Sequence, residues 1–262
     1  MGSRLLMFFG NSIDADAQAF ISAVGITDAT QQSAINTLVV DLKWYGIWTK
    51  MKALYPFVGG TSTTHKWNLK NPLDTDAAFR LFFSGGWTHS ANGALPNGLN
   101  CHANTFLTPN VSLTTSSAHF SKYNRTNDLV GNKVDGVFDG NNTTFLHQNY
   151  SVGNGIIGNS TSIASYTQTD TRGLFTVNRN ATNSLKVFKN STQVASDSVV
   201  VNALPTFPIH IGARRDGAAN AYSFYNSYEC AFASIGDGLT DAEVANFYTA
   251  VQSFQTTLGR QV

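Results

Sequence analysis

Cysteine, glutamate, charge and long apolar runs are all scarce in this chain, and each scarcity removes a class of function. The two cysteines, Cys101 and Cys230, stand far apart among 262 residues. A chain of this length buries enough surface to stand without disulfides, so buried free thiols are the expectation. Charged residues make up 13% of the sequence and the net charge is +1. The densest basic cluster is the pair Arg214–Arg215, so nucleic acid is not an expected partner. The opening Met1–Gly10 carries an apolar run of only five residues. That is too short for a signal h-region or a membrane span, so neither secretion by that route nor membrane insertion is expected. The Asn-x-Ser/Thr triplets at Asn110, Asn142 and Asn190 then reflect loops rich in Asn, Thr and Ser rather than glycosylation.

What is present begins with helical spacing. Asp14 can cap a helix carrying Ala17, Phe20, Ile21 and Val24, which Gly25 ends. Thr27 can cap a second, lined by Ile35, Leu38, Val39 and Leu42. Ile47, Trp48, Met51, Leu54 and Tyr55 predict a third, stopped by Pro56. These stripes need a partner surface: either they cap a sheet or they dock another subunit. From Gly59 onward, short β-type runs alternate with Gly, Asn and Asp turns, the texture of a sandwich or jelly roll. The runs are Phe79–Phe83, Thr105–Leu107, Ala118–Tyr123, Leu129–Val130, Thr144–His147, Ile163–Tyr166, Leu174–Asn178, Leu185–Lys189 and Gln193–Val201. Asn190–Ser191 marks the best hairpin turn. A strand over 207–213 and another over Tyr228–Ile235 lead to a closing helix. Thr240 and Glu243 form its capping box, and Val244, Phe247, Tyr248, Val251, Phe254 and Leu258 form its stripe. The expected fold is mainly β, an antiparallel sandwich with N-terminal helices over 1–58 and a sandwich plus C-terminal helix over 59–262.

Catalytic patterns are thin. Glutamate occurs only as Glu229 and Glu243, and the second is absorbed by its cap. Asp135 and Asp139, on one extended strand, would stand roughly 13–14 Å apart. That is too far for either glycosidase geometry unless Gly136 turns the chain. No G-x-S-x-G elbow, H-E-x-x-H or paired Cys-x-x-Cys occurs. The histidines at 65, 89, 102, 119, 147 and 210 are scattered, and His210 alternates with Ile209 and Ile211, facing outward or bonding locally. Asp135, Asp139 and Asn141 read as turn formers before calcium ligands. Gly153–Gly158 has the form G-x-G-x-x-G without a βαβ context and reads as a flexible turn. No metal, cofactor or catalytic residue is assigned.

Surface recognition remains. Trp87 sits in a Gly-rich polar loop, Tyr123, Asn124 and Arg125 end a strand, and Arg214, Arg215, Asp216 and Tyr222 follow another. Aromatic rings beside amides and guanidinium groups form a sugar platform, the ring stacking on a pyranose and the polar groups bonding its hydroxyls. The competing reading is structural: Trp87 packs under its own loop, and an arginine pairs with Asp216.

The segment Tyr228–Tyr248 resembles the final strand and helix of concanavalin A-like lectin/glucanase domains of the laminin-G type, and Leu185–Val194 resembles a hairpin of those domains. Ile26–Asp28, Trp48–Pro56, Val58–Gly60 and Leu258–Arg260 are similar to virion structural proteins of tailed bacteriophages. Enzymes of that family carry a Glu-x-Asp-x-x-Glu strand, which this chain lacks. The resemblance therefore implies a non-catalytic jelly-roll module of a fibre, tail or capsid decoration, assembled in host cytoplasm. Its expected partners are other virion proteins, a host-surface glycan and further copies of itself, a trimer above all. A glycoside hydrolase using Asp residues and a purely structural cement protein are the alternatives.

Overall fold

The computed structural model describes residues 12–149 and 151–262, without the side chains of Phe145, His147, Gln148 and Asn149. The Met1–Gly10 run and the His147 side chain therefore lie outside the described residues.

Asp14 caps α1 (Ala15–Val24) by accepting from the Asp16 N–H, and Gly25 ends it in the left-handed region. Asp28, one residue after the expected Thr27, caps α2 (Ala29–Trp44) through the Gln31 N–H. The third helix does not form. A 3-10 turn at Trp48–Lys50 leads into β1 (Met51–Tyr55), which pairs antiparallel with the last strand. A short run buried at nearly every position satisfies helical and extended periods equally, and an available sheet edge decides for the strand.

After the one-turn α3 (Ser62–His65) come four short strands, β2 (Phe82–Ser84), β3 (Thr88–Ser90), β4 (Gly93–Leu95) and β5 (His102–Asn104). A further turn, α4 (Pro109–Ser112), precedes β6 (Ala118–Asn124), β7 (Asn132–Phe138), β8 (Asn142–Asn149) and β9 (Val152–Asn159). Next are β10 (Ala164–Thr167), β11 (Gly173–Ala181), β12 (Ser184–Lys189) and β13 (Thr192–Asp197). The chain closes with β14 (His210–Ile211), β15 (Arg214–Asp216), β16 (Ala221–Ser223), β17 (Cys230–Gly236) and α5 (Asp241–Thr257). The expected box is present at α5: Thr240 accepts from the Glu243 N–H, and Glu243 accepts from the Thr240 N–H. Lys189 pairs with Thr192 across Asn190–Ser191, so the expected hairpin turn is also present.

The strands form an eight-stranded sheet centred on β11, β6 and β17, a six-stranded sheet running β10-β9-β8-β7-β15-β16, and a three-stranded sheet β14-β5-β2. All pairs are antiparallel except β7 with β15. The fold is thus the expected mainly β sandwich, with helices at both ends of the chain. The large sheet is covered twice. Phe120, Phe175, Val177 and Ala233 face the second sheet, while Tyr123, Leu174 and Phe232 face α1, α2 and α5. A bulge between Cys230 and Phe232 turns both Ala231 and Phe232 toward the helices.

Besides β1, the short strands β3, β4, β5, β15 and β16 were not expected, nor were the long β7 and β9, whose pattern Asp, Asn and Gly dilute. The Gly153–Gly158 run is a strand rather than a turn. Its glycines serve sheet packing: a Cβ on Gly155 would come within 2.4 Å of Val187 Cγ2 on the facing sheet. Conversely, Leu129–Val130 and Thr105–Leu107 lie in loops, the latter just after β5.

Arg260, Arg179 and His119 are buried, and each is answered by hydrogen bonds. Arg260 donates to Gln255 Oε1 (2.6 Å) and to the carbonyls of Pro56, Phe57, Ala91 and Ala231. Burial nonetheless pulls its guanidinium down to about 9. Arg179 donates to the Ile157 and Thr182 carbonyls and to Ser162 Oγ. His119 bridges the Asp237 carbonyl (2.7 Å) and Ser234 Oγ (3.0 Å). Both cysteines are buried and free, as expected.

Replacing Arg260 with Ala removes donors from the buried carbonyls of Pro56 and Phe57 and leaves Ala231 with the Gln255 amide alone, and is expected to cost on the order of 3 kcal/mol. A denaturant midpoint within error of wild type would contradict this. Burial lowers His65 and His210 to about 3 and His119 to about 4, all from 6.5. The unfolded chain then binds protons that the folded chain refuses. Their contribution is complete above about pH 6.5 and declines as pH falls toward the folded values, by up to about 1.4 kcal/mol per unit for each histidine. Urea midpoints measured at pH 7.5 and 5.0 should differ in that direction; equal midpoints would refute it.

Candidate functional site

The small three-stranded sheet has one face in the core and one outside. Cross-strand register pairs Phe82 with Asn104, Ser84 with His102 and His210 with Asn104. Directly paired residues point the same way, so Phe82, Ser84, His102, Asn104 and His210 share a face. The alternate residues Ala103 and Ile211 enter the core, with Phe83 packed against it.

Tyr222, from β16, lies over this outer face. Its ring stacks on His102 at 3.7 Å between centroids with planes 16° apart, and its hydroxyl is 3.3 Å from His210 Nε2. The Arg215 guanidinium covers the ring at 5.0 Å and is held by Asn220 Oδ1 at 2.5 Å. Tyr222 is therefore a pillar enclosed on both sides rather than a free stacking plate. The free apolar plate is Phe82, 54% exposed. Burial lowers His102 and His210 below the ordinary histidine range, and nearby Arg215 acts in the same direction. At neutral pH both rings are uncharged, and a neutral imidazole carries one donor and one acceptor nitrogen. An exposed phenyl ring bordered by imidazole, amide and guanidinium groups suits a ligand with an apolar face and hydroxyl edges.

The residues expected from the sequence are divided by the structure. Arg215 and Tyr222 belong to this face. Trp87 lies beneath it: its indole N–H donates to the Ser84 carbonyl at 2.9 Å, and a Cβ on Gly212 would come within 2.6 Å of its ring. It packs under its own loop, edge-on to Phe83 at 5.3 Å. Arg214 and Asp216 form an ion pair at 2.6 Å, and Asp216 also accepts from Ser223. Arg214 lies between the rings of Phe138 and Phe224. Tyr123, Asn124 and Arg125 belong to another set of contacts. Tyr123 is fully buried, with its hydroxyl against Gln252 and Val262, because its strand position faces the helices. Asn124 is buried, and Arg125 donates to Glu229 at 2.6 Å and to the Arg260 carbonyl. These three present no ring to solvent. Phe82, His102, Asn104 and His210 were not among the expected site residues, although His210 was read as facing outward or bonding locally and the alternations H-A-N and I-H-I carried the signal.

The carboxylates considered for catalysis are engaged elsewhere. Asp135 meets Lys122 between the sheets, and Asp139 accepts from the N–H groups of Asn141, Asn142 and Thr206, so β7 runs straight through Gly136. Glu229 and Glu243 pair with Arg125 and Lys50. Among the described residues, no three His, Cys, Asp or Glu side chains converge as a metal site, and no helix is long and apolar enough to cross a membrane.

No protein family matches the chain, and no curated protein matches it in sequence. Solved structures do share its fold. The receptor binding domain of botulinum neurotoxin C/D mosaic serotype superimposes with a TM-score of 0.50 at 11% identity, over 78% of this chain and 52% of that one. The binding domain of Paraclostridial Mosquitocidal Protein 1 gives 0.44 at 10% identity, covering 77% of this chain and 52% of that one. The NanB sialidase from Streptococcus pneumoniae gives 0.41 at 11% identity, over 63% of this chain and 27% of that one. This chain thus spans about half the length of the two binding domains it resembles. At such identities the likeness is one of fold: a β-sandwich shared with a receptor binding domain.

Proposed function

We propose that the chain is a non-catalytic binding module that recognises a glycan through the outer face of its three-stranded sheet. The observation that carries this is the Phe82–His102–Tyr222–Arg215 cluster, with an exposed ring flanked by preset polar groups. Its geometry is held by backbone pairing rather than by a mobile loop, which lowers the ordering cost of binding. The sandwich fold is compatible with such a role, and fold alone does not assign it. The phage-like stretches in the sequence support a place in a virion fibre, tail or decoration, as a homo-oligomer assembled in host cytoplasm with other virion proteins as neighbours.

Glycan-array and whole-cell binding by wild type and by Phe82→Ala and Arg215→Ala tests the reading. Each variant should keep its thermal midpoint and lose roughly tenfold or more in affinity, about 1.4 kcal/mol. Trp87→Ala should instead cost stability, roughly 2–4 kcal/mol, because its ring fills space beside Gly212. Wild type that binds neither array nor cells, or variants that bind as well as wild type, would remove the proposal and leave the structural-cement reading.

A further inference from the structure

Deep between the two large sheets lies a polar group that the proposed binding face does not use. Lys122 continues the inward row of Ala118 and Phe120 along β6, and Asp135 points inward from β7 beside Val137. The Lys122 ammonium is 3.0 and 2.9 Å from the two Asp135 oxygens. A third side chain shares the same carboxylate: Asn226 Nδ2 donates to Asp135 Oδ2 at 2.6 Å. The lysine and amide nitrogens therefore flank a single oxygen. Lys122 is 1% exposed, Asp135 4% and Asn226 0%.

The amide is held as an electrophile. Asn226 Oδ1 accepts the Tyr228 N–H at 2.6 Å, and its own N–H donates to the Gly212 carbonyl at 2.8 Å. Asp135 Oδ1 additionally accepts the Gly212 N–H at 2.7 Å. Tyr228 and Cys230 wall the site, with the tyrosine ring 5.8 Å from the Lys122 nitrogen. Burial pushes the Cys230 thiol up to about 12, so it stays protonated and does not compete as a nucleophile.

We infer that Lys122 and Asn226 form an intramolecular isopeptide bond, with Asp135 as the acid–base group between them. The balance is complete without a cofactor or oxidant. The Lys122 ammonium gives a proton to Asp135, and the resulting amine attacks Asn226 Cγ. The carbonyl π pair moves to Oδ1, where the Tyr228 N–H stabilises the charge as an oxyanion donor does. Asp135 then protonates Nδ2. Collapse of the adduct re-forms the carbonyl, breaks the Cγ–Nδ2 bond and expels ammonia. The surplus proton on the lysine nitrogen returns to Asp135. Lysine and amide enter; a secondary amide, ammonia and a protonated Asp135 leave. Exclusion of water keeps hydrolysis from competing, and the shared carboxylate supplies the proximity. The bond ties β6 of the large sheet to the segment entering β17, bridging about a hundred residues of chain, a constraint of the kind a disulfide provides.

High-resolution mass measurement of the intact, denatured wild-type chain tests this directly. The expected mass is lower than the sequence mass by one ammonia, and digestion should release a branched peptide joining the Lys122 and Asn226 segments. Lys122→Arg and Asn226→Ala should show their full sequence masses, as should Asp135→Ala. A wild-type chain at full sequence mass overturns the inference. Loss of one water instead also overturns it, because the bond would then lie between Lys122 and Asp135. Should the variants fail to fold, the wild-type mass and branched peptide decide alone. Glycan binding plays no part in this readout, so the two proposals stand or fall separately.

Discussion

The central strands of the large sheet are buried on both faces, and most of the architecture answers that constraint. β6 and β17 are buried at every position. A sheet in that position needs two apolar covers, and every polar group it carries must find a partner inside. The helices supply one cover and the second sheet the other. Within the covers, His119, Ser121 and Ser234 bond one another across β6 and β17, and Lys122 meets Asp135 across the sandwich. An unanswered charge at any of these places costs more than a buried methyl group gains.

The same constraint explains the helices and the far C-terminal segment. α1, α2 and α5 together cover the face bearing Tyr123, Leu174 and Phe232. Arg260, just past α5, is inserted among carbonyls from Pro56, Phe57, Ala91 and Ala231. One guanidinium with five donors gathers loops that are distant in sequence. The boundary expected near residue 58 accordingly falls just after β1, a strand of the main sheet.

The proposed binding face arises where the sandwich is not doubly covered. The three-stranded sheet has only its inner side in the core, so its outer side carries His102, Asn104 and Phe82 beside Tyr222. Position in a short strand, rather than a long loop, orients these groups. Sequence reading reached Arg215 and Tyr222 through their composition and read His210 as facing outward or bonding locally, but did not join it to His102, because the two strands meet only in the sheet. Tyr123 illustrates the opposite failure. Beside Asn124 and Arg125 it looks like a rim residue, yet its place on β6 directs it under α5.

Local chemistry determined the elements whose causes are local. The Thr240–Glu243 box, the Asp14 cap, the Gly25 stop and the Asn190–Ser191 turn all follow from hydrogen bonds within a few residues, so they are legible in order along the chain. The sandwich class was legible too, from the spacing of short runs and turns. Tertiary structure alone decided that Met51–Tyr55 extends instead of coiling, that the Gly153–Gly158 run pairs as a strand, and that Lys122, Asp135 and Asn226 meet. Those outcomes depend on partners far away in sequence: a sheet edge, a facing valine, a shared carboxylate. Pairing energy of that kind has no signature in the residues that receive it.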